Sequence, residues 1–307
     1  MPVCGLILMA SIFSVKSYHK HLNLNKLEKL VLLCTKTSFL IHELQIERGA
    51  SAGYLGNKEE FYDLLQLQRE KTTKRQNELY DFLTHFDKSS FNEEFNANLK
   101  NALKELERLS TYREKVNLSL VNTAEIIAFY THLNKGFLHT ILHISKVASN
   151  AELSLHLISY VNFLFAKDVV GIQRALGTSI LNETHLNKDL LNEFYNLTQI
   201  ENVYMEKFKI YSSVETLNFY QQLLVGKDID EVNRISEDIL QYRHYDNSNK
   251  AIKNPHNAQY WFEHITSKIN KLKKIDDYLI NQTNIKIQLL LNEFKISIFI
   301  FLAVSLT

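Results

Sequence analysis

Between residues 22 and 57 a seam of positions recurs alternately three and four residues apart: Leu27, Leu30, Cys34, Thr37, Ile41, Leu44, Arg48, Ser51 and Leu55. That spacing is the packed stripe of a helix in a bundle. One member of the stripe, Arg48, is charged, so the pattern places a guanidinium on the packed face. Gly56 and Asn57 end the helix. Further helices are predicted over 59–86, 91–117, 119–148, 151–181, 186–212, 214–225, 228–243 and 256–306. Residues 86–90 read as a turn, with Ser90 capping the helix that follows. Asn150 marks a break, and 246–249 with Asn254 and Pro255 form the clearest loop.

Two apolar runs stand at the ends. Residues 2–15 carry no charge, and 296–306 are equally apolar. A membrane-spanning helix needs about 20 apolar residues, and each run is shorter. Both abut a chain end, which predicts two transmembrane helices cut short there: 1–17 and 295–307, with 18–294 between them on one side of a membrane. The first run lacks the basic start and the cleavage site of a signal peptide. Lys16, His19 and Lys20 after it count against an external location.

Composition narrows the class. With two Pro and 8 Gly in 307 residues, the chain lacks the punctuation of a β protein and reads as all-α. A net charge of +1 gives no field for nucleic acid. Cys4 and Cys34 suggest neither a disulfide framework nor a metal site. No nucleotide loop, nucleophile elbow or zinc signature is present, so no enzyme activity and no cofactor are expected. His132, His139 and His143 share a helical stripe but bring no Cys or carboxylate with them, which favours a polar stripe over a metal. Trp261, between Tyr260 and Phe262, reads as core.

The arginines carry the candidate chemistry. Only 8 of 35 basic residues are Arg. Arginine is a rigid planar donor fork that stays charged, suited to small flat oxyanions. Arg48 precedes Gly49, Ala50, Ser51 and Ala52, and Arg174 lies between Gly171 and Gly177. Carboxylates three or four residues away on a helix neutralise an arginine. Around Arg48 those positions hold Leu44, Gln45, Ser51 and Ala52; around Arg174 they hold Val170, Gly171, Gly177 and Thr178. Neither has a local partner. Arg69 and Arg113 also lack one there, but each adjoins a Glu in more polar surroundings. Asp230, Glu231, Glu237 and Asp238 surround Arg234. A buried charge must be paired or hydrogen-bonded, so a purely structural reading gives Arg48 a cross-helix salt bridge to Glu43, Glu47 or Asp168.

Residues 40–55, containing Glu43-Leu44-Gln45 and Glu47-Arg48-Gly49, resemble the first signature of the nitrate- and nitrite-sensing (NIT) domain. Residues 165–175 resemble the second, and Arg113, Tyr130, 260–262 and Thr266 fall where the family has an Arg, a Tyr and its closing region. The likeness covers roughly residues 25–280. Two departures stand out: Lys167-Asp168 in place of Lys-Glu, and Gln173-Arg174 in place of Glu-Arg. The resemblance implies two stacked helical bundles of long antiparallel helices and a ligand, nitrate or nitrite, held by arginines. Carried over, the ligand residues are Arg48 and Arg174, counted with the hydroxyls of Ser51 and Thr178, and Arg234 as a further family position.

The resulting expectation is the periplasmic sensor of a chemoreceptor-type protein in the bacterial inner membrane. Its partners are a small anion, a second copy of the chain, and a signalling module in cis. The rival readings are a helical protein-interaction domain with structural ion pairs, and the same sensor fold binding a small carboxylate.

Overall fold

The computed structural model describes residues 2–147, 150–182, 187–242 and 258–305. Among them every regular element is helical. In chain order these are α1 (Pro2–Gly56), α2 (Lys58–Thr84), a 3₁₀ turn (Lys88–Ser90), α3 (Glu93–Glu107), α4 (Leu109–Asn117), α5 (Thr123–Val147), α6 (Ala151–Asn182), α7 (Lys188–Tyr211), α8 (Val214–Leu223), α9 (Lys227–Gln241) and α10 (Ala258–Ser305). The loop expected at 246–249 with Asn254 and Pro255 lies outside the described residues.

Local chemistry sets the boundaries. Asn57 both ends α1 and caps α2, accepting from the Glu60 N–H. The expected cap Ser90 has a different role: its hydroxyl and that of Ser89 donate to Asp87, at 2.5 and 2.6 Å. Asn92 caps α3 instead, accepting from Phe95 N at 2.9 Å. The predicted helix 91–117 divides at Arg108 into α3 and α4. Gly226, at φ +100, supplies the left-handed residue that starts α9.

The packing joins two groups of helices. In one, α1 lies against α2 and α5, and α3 lies against α5; in the other, α6 lies against α7 and α10, with α8 and α9 on α10. Contacts of α1 and α5 with α6, and of α1 with α10, join them. The α1 stripe is the core side: Leu27 through Ser51 are buried and Leu55 is half-buried. Among the described residues, one helix is long and apolar enough to cross a membrane, Ala151–Leu181 in α6, and it is mostly buried in the bundle. Side chains of residues 2–14 lie outside the description, whereas Ile296, Phe299 and Ile300 near the end of α10 are exposed.

A fully buried ion pair ties three helices together. Lys167 Nζ on α6 donates to Asp276 Oδ2 on α10 at 2.6 Å. Tyr160 donates to the same carboxylate at 2.8 Å, and Ser38 of α1 at 3.2 Å. Cys34 is buried close by, and its thiol is pushed well up by burial and by the Asp276 charge.

One buried and one half-buried histidine give the fold an acid sensitivity. Burial pushes the pKa of His156 down to about 4, against a smaller opposing effect of the Leu279 carbonyl. Burial, then Lys167, Lys273, Arg174 and Arg75, pushes His42 down to about 2. Both folded-state values lie below the unfolded one, so as pH falls the unfolded chain takes up protons first. Their stability contribution is complete above about pH 6.5 and is lost below it. From about pH 7 to about pH 5 the two together are expected to cost roughly 3 kcal/mol. Urea unfolding at both pH values checks this; a flat unfolding free energy would contradict it.

Candidate functional site

Arg48 and Arg174 meet where α1 crosses α6, each lying over a glycine of the other helix. A methyl group added at Gly49 would sit 2.5 Å from Arg174 Nη2, and one added at Gly171 would sit 2.6 Å from Arg48 Nη2. The glycines give each guanidinium its room. A third glycine, Gly177, makes room for the Trp261 indole, which donates to the Arg174 carbonyl at 3.1 Å.

The two cations are held differently. Arg48, 1% exposed, donates from Nη1 to Thr131 Oγ1 of α5 at 3.0 Å and from Nη2 to the Asp168 carbonyl at 3.3 Å. Its Nη2 also lies 3.3 Å from Asp168 Oδ1. Arg174 donates to Thr266 Oγ1 of α10 at 3.3 Å and lies 4.9 Å from the centre of the Phe262 ring. Among the described residues it has no carboxylate partner, and its Nε has no hydrogen bond. Burial, and then the Arg48 charge, hold its pKa down to about 10. A buried cation without a counter-charge is costly, and an anion relieves that cost.

A second cluster fixes α1 beside the site. Glu47, fully buried, accepts from Arg113 Nε and Nη2 at 2.7 and 2.8 Å, a bidentate pair. Tyr130 donates to the same carboxylate at 2.7 Å, and burial and that charge push its hydroxyl pKa well up. Consecutive residues of α1 thus have opposite roles: Glu47 is closed on partners of α4 and α5, and Arg48 faces α6.

A family profile described as "Nitrate and nitrite sensing" matches residues 40–284. The chain belongs to the NIT family. No curated protein sequence matches this NIT chain. Among solved structures it is similar to one titled "Structure of the NasR transcription antiterminator", with a TM-score of 0.82 over 92% of this chain and 75% of that one. At 15% identity that likeness speaks for the fold.

The NIT fold brings Arg48 and Arg174 together. Ser51, one helical turn from Arg48, is fully buried, and its hydroxyl has no hydrogen-bond partner among the described residues. The Thr178 hydroxyl turns back onto its own helix, donating to the Arg174 carbonyl at 2.8 Å. Arg234 lies half exposed on α9 and pairs with Glu231 at 2.5 Å and Asp238 at 3.6 Å, as its acidic neighbours dictate. Of the three carboxylates offered to Arg48, Asp168 takes it. Glu43 accepts from Gln68 and Glu47 is held by Arg113.

Sequence reasoning missed Thr131, Thr266, Gln45 and Asn134. The last two donate to Asp168 Oδ1 at 3.0 and 3.4 Å. Their signal is a polar residue among core positions, such as Asn134 beside Leu133, or Thr266 beside Ile265. The histidine stripe is polar packing: His143 Nε2 lies 2.8 Å from Asn98 Nδ2 and 3.2 Å from Glu94, and His139 meets the edge of Phe165. Among the described residues no group of three His, Cys, Asp or Glu is placed to hold a metal ion.

Proposed function

We propose that this chain is the ligand-sensing part of a transmembrane signalling receptor and that nitrate or nitrite binds between Arg48 and Arg174. One observation carries the reading: Arg174 is a buried guanidinium with no carboxylate, placed beside a second guanidinium. Nitrate is planar, singly charged and able to take two parallel hydrogen bonds from a guanidinium. In the empty site the two cations repel. An anion between them removes that repulsion and favours the arrangement in which α1 and α6 close on it, the differential affinity a switch requires. Thr266 and Trp261 both touch Arg174, so α10 shares in any change there.

The membrane setting rests on the helix ends. Helix α1 runs without a break from Pro2 through the first apolar run into the sensor region, and α10 runs from that region to Ser305 within the second. The two run side by side there, with the His21 and Phe294 rings stacked 5.4 Å apart. The exposed Ile296, Phe299 and Ile300 suit a lipid environment. On this reading the sensor is periplasmic in a bacterial inner membrane, acts as a homodimer, and passes a helix movement to a signalling module in cis.

The ion pair of Arg48 with Asp168 is what a purely structural role for that arginine demands, and Arg174, which has no carboxylate partner among the described residues, is what such a role leaves without reason. Calorimetric titration of the full chain in detergent with nitrate, nitrite and acetate separates the readings. Arg48→Ala is expected to weaken nitrate binding by about 100-fold, the loss of two charge-assisted hydrogen bonds. Nitrate affinity unchanged by both Arg48→Ala and Arg174→Ala defeats the site. Acetate bound in preference to nitrate favours the carboxylate sensor, and no anion binding at all favours the interaction domain.

A further inference from the structure

The buried charges around the two arginines can be paired off. Glu47 closes on Arg113, and Lys167 closes on Asp276. His42, the neighbour facing Lys167, Lys273, Arg174 and Arg75, is kept neutral by burial and by those cations. Arg69 lies beyond the Glu47–Arg113 pair and opens onto a surface groove it shares with Glu70, Glu78 and Asp81. What remains among the described residues is Arg48, Arg174 and Asp168, two positive charges and one negative.

Asp168 is a fixed member of that set. Gln45 of α1 and Asn134 of α5 donate to its Oδ1, Arg48 approaches the same atom, and the side chain is 8% exposed. Three helices hold the carboxylate where it is, so it cannot swing into water when a ligand arrives. With Asp168 in place the site lacks one negative charge. A monoanion completes it. A dianion leaves a second negative charge buried without a cation, which is costly.

From this we infer that Asp168 determines the charge of the ligand: the site as built takes one monovalent oxyanion and excludes divalent oxyanions of the same shape. The inference rests on the Arg48–Arg174 site and deepens it. Asp168 acts here as a specificity-determining residue, through Arg48 and the field in the site.

Chlorate and sulfite isolate charge from shape, since both are pyramidal three-oxygen anions that differ by one unit of charge at mildly alkaline pH. The full chain is titrated calorimetrically with nitrate, chlorate and sulfite. The wild type is expected to bind nitrate and chlorate and to bind sulfite at least about tenfold more weakly. Asp168→Asn removes one negative charge and is expected to strengthen sulfite binding at least about tenfold relative to chlorate. Asp168→Glu keeps the charge and is expected to restore the exclusion. A residue that only supports the fold would change affinity for both anions alike and leave their ratio fixed.

The inference is overturned if the wild type binds sulfite as tightly as chlorate, a result that needs no variant to fold. It is equally overturned if Asp168→Asn still binds nitrate and still excludes sulfite. Failure of the wild type to bind nitrate at all is a separate result, which removes the Arg48–Arg174 site itself.

Discussion

Replacing Arg174 with methionine is expected to raise the melting temperature of the ligand-free chain and to abolish its response to nitrate. Arg174 has its pKa held down to about 10 from an ordinary 12.5, by burial first and Arg48 second. The folded state therefore disfavours the charged form by about 3 kcal/mol. The sign is that of a cation with a lowered folded-state pKa: the cost is present in full below about pH 10 and fades as pH rises toward the unfolded value. Methionine keeps an unbranched apolar stem against Phe262 and removes the charge. It gives up the Thr266 hydrogen bond, worth about 1 kcal/mol net. A gain of about 2 kcal/mol remains, which raises the melting temperature of a chain this size by about 4 °C. Nitrate at about 100 times its dissociation constant should add about 2.7 kcal/mol to the wild type and nothing to the variant. Far-ultraviolet melts with and without nitrate measure both effects. A variant that melts lower and still responds to nitrate would make Arg174 a structural residue.

Asp276→Ala is expected to have the largest stability effect of any single change, a loss of about 4 kcal/mol. It strands the Lys167 ammonium in an interior where both partners are 1% exposed or less. It also removes the acceptor of Tyr160 and Ser38. A buried pair broken from one side costs far more than a buried pair replaced outright. The double variant Lys167→Met with Asp276→Leu is therefore expected to recover most of the loss. Urea unfolding of the two single variants and the double variant closes the cycle. Additive losses would mean that the two charges are not coupled.

Part of this molecule is visible in its residues alone, and the reason is periodicity. The α1 stripe repeats over many turns, so Arg48 fell on the packed side without reference to anything distant. The census of neighbours worked for Arg234 because its partners, Glu231 and Asp238, lie on its own helix. It failed for Arg113, whose acceptor Glu47 is 66 residues away. The same limit hides Thr131, Thr266, Gln45 and Asn134, whose partners are chosen by helix packing. The Thr178 hydroxyl follows a local rule, since a helical threonine can bond the carbonyl four residues back. The split at Arg108 has no Gly or Pro to announce it.

Helix α10 contains neither glycine nor proline in its 48 residues. Thr266, which touches Arg174, lies near its start, and the helix is described to Ser305. At 1.5 Å per residue the two are roughly 60 Å apart. Kinks arise at proline, glycine or inserted side chains, and this segment offers neither residue as a joint. On the proposed reading such a segment would act as a stiff lever anchored at Asp276, and loosening that fulcrum would blur the message even where the anion still binds.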